Sequence, residues 1–231
     1  MLNRVLNCLI GCAIVLSASP ASAQDPRVEI GATLGWTISD GVSGDTVVVP
    51  GLGSFNTIEP KDGVSWGLRV GFFVNPQTEV GFLFNRQFST LLVVGTTAVS
   101  PGASTKVELG DEAVRNYHAY FAYNFGASDA KLRPYVLAGL GATQYGKVEA
   151  QLGNQQRDIG GTSRFSTTWG GGLKFQTSEK VGLRLEGRWT PTFIKADAVG
   201  WWCDPFWGCY VISDAQYANQ LDLAGGVSVR F

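Results

Sequence analysis

Gln220-Leu221-Asp222-Leu223-Ala224-Gly225-Gly226-Val227-Ser228-Val229-Arg230-Phe231 is the stretch whose reading decides the fold. Leu221, Leu223, Val227, Val229 and Phe231 share one parity; Gln220, Asp222, Ala224, Gly226, Ser228 and Arg230 share the other. Successive side chains of a strand point to opposite faces, so this is a strand with one apolar face and one small or polar face. Such a strand needs an apolar surrounding on one side only.

The alternation recurs upstream. Val28, Ile30, Leu34, Trp36 and Ile38 lie on one face; so do Trp66, Leu68, Val70, Phe72 and Val74. Val80, Phe82, Phe84 and Phe88 follow, with an extension through Leu91 to Val94 left open. Tyr117, Ala119, Phe121, Tyr123 and Phe125 make a fourth segment, and the Gly/Ala-rich 132–145 a fifth, whose facing of Tyr135 and Val136 is undecided. Phe165, Thr167, Trp169, Leu173 and Phe175 form the sixth, and Val181, Leu183, Leu185 and Trp189 the seventh. Long connections over 39–63, 95–112, 146–163 and 191–216 alternate with short turns at 75–77, 126–131 and 177–180. Eight strands of about ten residues with this loop alternation predict an all-β, antiparallel, up-and-down transmembrane barrel, with short periplasmic turns and long external loops.

Composition agrees. Charged residues make up 16% of the 231-residue chain, against about 25% in soluble domains, with 30 glycines and 12% aromatics. No basic patch suggests nucleic acid. Residues 1–23 read as a cleaved export signal: Arg4, the apolar 6–16, then Ala21-Ser22-Ala23, giving a mature start at Gln24 and a barrel domain over 24–231. Leu9-Ile10-Gly11-Cys12 precedes most of the apolar segment, which disfavours lipidation.

Parity alone does not separate this barrel from a lipocalin with an apolar interior. Trp36, Trp66, Phe88, Tyr117, Phe125, Phe165, Phe175, Trp189 and Phe231 sit near strand ends on the apolar face, as interfacial girdles do, and favour lipid outside.

The export signal, the eight strands, the segment from Arg133-Pro134-Tyr135 to Gly139-Leu140-Gly141 and the terminal Phe231 together resemble the small bacterial outer-membrane β-barrel family, OmpA-type barrels and opacity-type surface proteins included. The resemblance spans the mature chain and rests on pattern more than on any motif. It implies a Gram-negative outer membrane, contact with membrane lipids and lipopolysaccharide, and Phe231 as the signal read by the barrel assembly machinery. For function it implies a structural or surface-interaction role. A narrow channel for small solutes is the alternative, and a lipid-modifying enzyme a weaker one.

Glu29, Arg69, Lys174, Arg184, Glu186, Arg188 and Asp222 fall on the polar parity, as do Glu79 and Arg230. They either line a conducting path or pair to fill a lumen that eight strands make just wide enough for side chains. The single histidine, His118, is also on the polar parity; barrel deacylases place a Ser two residues from a lipid-facing His, whereas Asn116 and Tyr120 flank it here. No catalytic residue, metal site or cofactor is expected. Cys203 and Cys209 remain after processing and, with five residues between them in an external loop of an oxidising compartment, are expected to form a disulfide. Trp201, Trp202, Phe206, Trp207 and Tyr210 crowd the same loop as a candidate surface for a ligand. Acidic loop residues such as Asp40, Glu59, Glu108 and Glu112 fit either cation bridging to lipopolysaccharide or plain solvation.

Overall fold

The computed structural model describes residues 27–49, 53–97, 100–152, 155–159, 161–194, 203–204, 208–209 and 216–231. The expected export signal and the loop aromatics Trp201, Trp202, Phe206, Trp207 and Tyr210 lie outside them.

The strands are β1 (Val28–Ser39), β2 (Val42–Val49), β3 (Gly53–Pro60), β4 (Gly63–Phe73), β5 (Thr78–Thr97), β6 (Ser100–Asn124) and β7 (Leu132–Tyr145). There follow β8 (Val148–Leu152), β9 (Gln155–Ile159), β10 (Thr162–Gln176), β11 (Val181–Ile194), β12 (Cys203–Asp204), β13 (Gly208–Cys209) and β14 (Gln216–Arg230). Ten belong to one antiparallel sheet, ordered β2-β3-β5-β4-β1-β14-β11-β10-β7-β6, and β6 returns to β5. Eight strands therefore close a ring, from which β3 and β2 branch off β5.

The turns at one end are short because their sequences close them locally. Asn75 Oδ1 accepts the Gln77 and Thr78 N–H groups at 3.0 and 2.8 Å, an Asx turn. Gly126 holds φ at 82°, which a residue with a Cβ resists. Val181 N–H donates to Ser178 Oγ at 3.1 Å.

Strand length is where the structure departs from expectation. β5 and β6 run to 20 and 25 residues, and the segment expected as a loop over 95–112 is largely strand. The Gly/Asp/Pro-rich 39–63 likewise folds as the β2–β3 hairpin, and 146–163 contains the β8–β9 hairpin. A second, smaller core explains this. Val42, Phe55, Ile58, Leu91, Val93, Val114, Tyr145, Val148, Ile194 and Ala218 bury one another beyond the girdle, where apolar packing offsets the entropy of ordering a loop.

The facing is unambiguous. Among the described residues thirty large hydrophobic side chains are exposed, and all eight ring strands contribute; Leu34, Leu185 and Phe231 reach 70%, 64% and 69% exposure. Glu29, Arg69, Glu79, Lys174, Arg184, Glu186, Arg188 and Asp222 are buried. A water-soluble barrel would incur the cost of both at once. In a bilayer the outward side chains are solvated by lipid and every ring strand's backbone is paired. The outward apolar band ends near Trp36, Val64, Phe88, Phe165 and Trp189, and the chain beyond these stands outside the membrane.

Candidate functional site

The site the strands build is the lumen, and its side chains change character with height. At the periplasmic end Glu29 on β1 receives Arg230 from β14 at 2.7 Å, Arg184 from β11, and Lys174 from β10 at 3.4 Å. Lys174 also reaches Glu79 on β5 at 2.5 Å, and Glu79 accepts the Tyr120 hydroxyl. One step outward Glu186 is bonded by Arg69 at 2.5 Å and by the Tyr135 hydroxyl, and lies 3.4 Å from Arg188. Arg188 donates to Asp222 at 2.7 Å, which also accepts Thr37 at 2.6 Å and Ser65 at 2.5 Å.

All seven charged residues expected in the lumen are thus brought into one web, together with Glu79 and Arg230. Each ion is desolvated, a cost of several kcal/mol that only close pairing and further hydrogen bonds offset. The rings of Tyr120 and Tyr135 help by lying under Arg69 and Arg184 at 5.0 and 4.9 Å. Tyr120 lies on the polar parity of its strand, as read from the sequence, and the undecided facing of 132–145 resolves with Tyr135 buried and Val136 exposed. Glycine supplies the room: a Cβ at Gly71 would overlap the Glu79 carboxylate and the Tyr120 hydroxyl.

Above the charges comes a neutral layer. Asn116 Nδ2 donates to Gln220 Oε1 at 3.0 Å, Gln220 Nε2 to Gln87 Oε1 at 2.9 Å, and Ser39 Oγ to the same acceptor at 3.1 Å. Thr143 joins Asn116 at 2.7 Å, and Thr192 donates to Thr143 at 3.0 Å. His118 belongs to this layer. Its Nε2 lies 2.9 Å from Ser166 Oγ, its Nδ1 has no partner among the described residues, and the ring is 1% exposed. Strand pairing supplies the serine that the local sequence lacks, yet lipid has no access to it and no carboxylate orients the ring.

The outermost layer is the apolar core of Val114, Tyr145, Ile194 and their neighbours. Glu112, outside the membrane on the external extension of β6, is drawn into it. Neither carboxylate oxygen has a partner among the described residues, and burial pushes the group up to about 8.

Three features coincide: a closed eight-strand ring, an apolar outer surface and a charged interior. The family model for the outer membrane protein beta-barrel domain matches residues 8–231. The chain belongs to this family. Its members' setting, the Gram-negative outer membrane, accounts for the inverted polarity. Among solved structures, the outer membrane protein OprG of Pseudomonas aeruginosa is similar at a TM-score of 0.59 and 11% identity, covering 90% of this chain and 97% of that one. Neisserial surface protein A is similar at 0.50 and 16%, covering 91% and 100%. AlkL, solved in lipid bilayers, is similar at 0.51 and 15%, covering 93% and 96%. At these identities the likeness is one of fold. No curated protein matches the chain.

Proposed function

We propose that this outer-membrane barrel is a structural and surface-interaction protein whose lumen is closed to solutes and whose external extensions form the contact surface. The observation that carries the reading is the stacking of three obstructions along one axis. The ion web from Glu29 to Asp222 is followed by the Asn116–Gln220–Gln87 layer and then by the apolar core around Val114. An ion entering from either end would have to break buried pairs or cross a dry layer.

An enzymatic role receives no support from His118 and Ser166, which are enclosed in the lumen. For the external loop, the backbones of Cys203 and Cys209 are directly opposed in the β12–β13 ladder. Opposed antiparallel residues lie about 4.5–5.5 Å apart at Cα, inside the range a disulfide spans, which supports the expected bridge.

The test is conductance of the refolded full chain in a planar bilayer. Silence at physiological salt is the expected result. Discrete, reproducible openings that change when Arg69 or Glu186 is substituted would establish the channel alternative instead.

A further inference from the structure

Arg86 on β5 and Arg115 on β6 are directly opposed in the strand register. Both belong to the lipid-facing parity of their strands, that of Phe84 and Phe88 on β5 and of Tyr117 and Phe121 on β6. Like charges directly opposite destabilise a sheet pair. Among the described residues neither guanidinium takes part in an ion pair, and Arg86 Nε has no hydrogen-bond partner although it is buried. Of the buried lumen cations, Arg69, Lys174, Arg184, Arg188 and Arg230 are matched by carboxylates and Arg133 donates to the Pro76 carbonyl. Among the described residues the Arg86–Arg115 pair has no counter-charge.

Its height identifies where one would come from. At ~3.4 Å rise per residue and ~40° tilt, both arginines stand about 20–25 Å above the periplasmic turns, at the external limit of an apolar band ~25 Å tall. Trp66 is opposite Arg86, and Gln144 is opposite Arg115, so one outward row reads Trp66, Arg86, Arg115, Gln144 across β4 to β7. Immediately toward the hydrocarbon lies an aromatic platform. The Trp66 and Phe84 ring centroids are 5.3 Å apart, and those of Phe84 and Tyr117 5.2 Å. The Phe88 ring lies 4.9 Å from the Arg86 guanidinium on the other side.

We propose that Arg86 and Arg115 bind a phosphate group of an outer-leaflet glycolipid, with its acyl chains lying on the Trp66–Phe84–Tyr117 platform. Two guanidinium forks from adjacent strands match a phosphate's several acceptor oxygens. The anion relieves the like-charge contact, and a site at the external edge of the band meets the phosphorylated glycolipid of that leaflet.

The refolded full chain, in an uncharged detergent, is titrated with deep-rough lipopolysaccharide, with the same material dephosphorylated, with phosphatidylglycerol and with inorganic phosphate. The phosphorylated glycolipid is expected to bind, and the dephosphorylated form to bind about tenfold more weakly or worse, as loss of charge-assisted contacts implies. The Arg86→Gln/Arg115→Gln variant, with its heat-modifiable gel shift intact, should lose the same factor, and the Arg86→Lys/Arg115→Lys variant should recover part of it. Equal binding of the dephosphorylated form, equal affinity for phosphatidylglycerol or inorganic phosphate, or wild-type binding by the double Gln variant would each overturn the proposal. If that variant does not fold, the comparison of lipids on the wild-type chain still decides.

Discussion

Arg69 and Glu186, 117 residues apart in sequence, meet at 2.5 Å inside the barrel, although β4 and β11 are separated in the ring by β1 and β14. The bond crosses the lumen rather than following the sheet. Glu186→Gln leaves Arg69 and Arg188 short of a charge they cannot obtain from water, and the expected loss is about 3–5 kcal/mol. Urea titration in lipid vesicles measures it. Combining it with Arg69→Met should restore much of the loss, and strict additivity of the two changes would show that they do not interact.

Glu112 sets a pH dependence in the external core. Its folded-state value is raised to about 8 by burial, above the ordinary carboxylate value of 4.5. Between these values the unfolded chain releases the proton while the folded chain keeps it, so stability falls as pH rises through that window and levels off above it. The cost at pH 7 is about 3 kcal/mol. Glu112→Gln should therefore raise the melting temperature of the heat-modifiable form at pH 7 and leave it unchanged at pH 4. An equal gain at both would place the effect elsewhere.

Gly71 and Gly225 make a paired test of lumen packing. A Cβ at Gly71 meets the Glu79 carboxylate and the Tyr120 hydroxyl, whereas one at Gly225 meets Leu185 Cδ2 at 3.5 Å, an ordinary contact. Gly71→Ala is expected to cost about 1–3 kcal/mol and Gly225→Ala less than about 0.5. Denaturant midpoints of the two variants should differ accordingly.

Cys203 and Cys209 should resist alkylation in the oxidised, denatured protein and react after reduction. The opposed backbone positions in β12 and β13 bring the two within bridging range. Full alkylation without reductant would leave the loop unstapled.

The membrane-spanning strands were legible because lipid on one side and charge on the other impose a period of two over 28–38, 64–74 and 181–189. Past the girdle that constraint lapses. Leu91, Leu92 and Val93 are all buried, and the register of β5 against β6 shifts between Leu91 and Leu92, so a bulge resets the parity and erases the alternation. The 95–105 stretch carries Gly, Thr and Ser and reads as loop, although 95–97 pairs with β3 and β6, and 100–105 is the start of β6 itself. In the lumen, parity was enough to list the charges outside 132–145, the segment of undecided facing, where Arg133 is buried as well. It did not show which would meet, because Arg69 finds Glu186 through the curvature of the ring. Nor did it show that Ser166 would reach His118, which depends on β6, β7 and β10 lying side by side.

The first ring strand, β1, and the last, β14, are paired along their length, and Phe231 closes the seam with its N–H on Val28 O at 2.9 Å and its carbonyl accepting Arg27 N–H at 2.9 Å. Closure thus joins the two most distant parts of the described sequence. Until it happens, both edges of a seven-hairpin ribbon remain open to any other strand, and no partial ribbon can hide them. Pairing at such separation is slow, since the longest loop of the molecule must be closed to achieve it. The cell's hardest task with this polypeptide is therefore one of timing. Its two ends must be kept apart from foreign strands until they find each other, and the ion pairs that span the same seam, Glu29–Arg230, Glu29–Arg184 and Arg69–Glu186, can form only then.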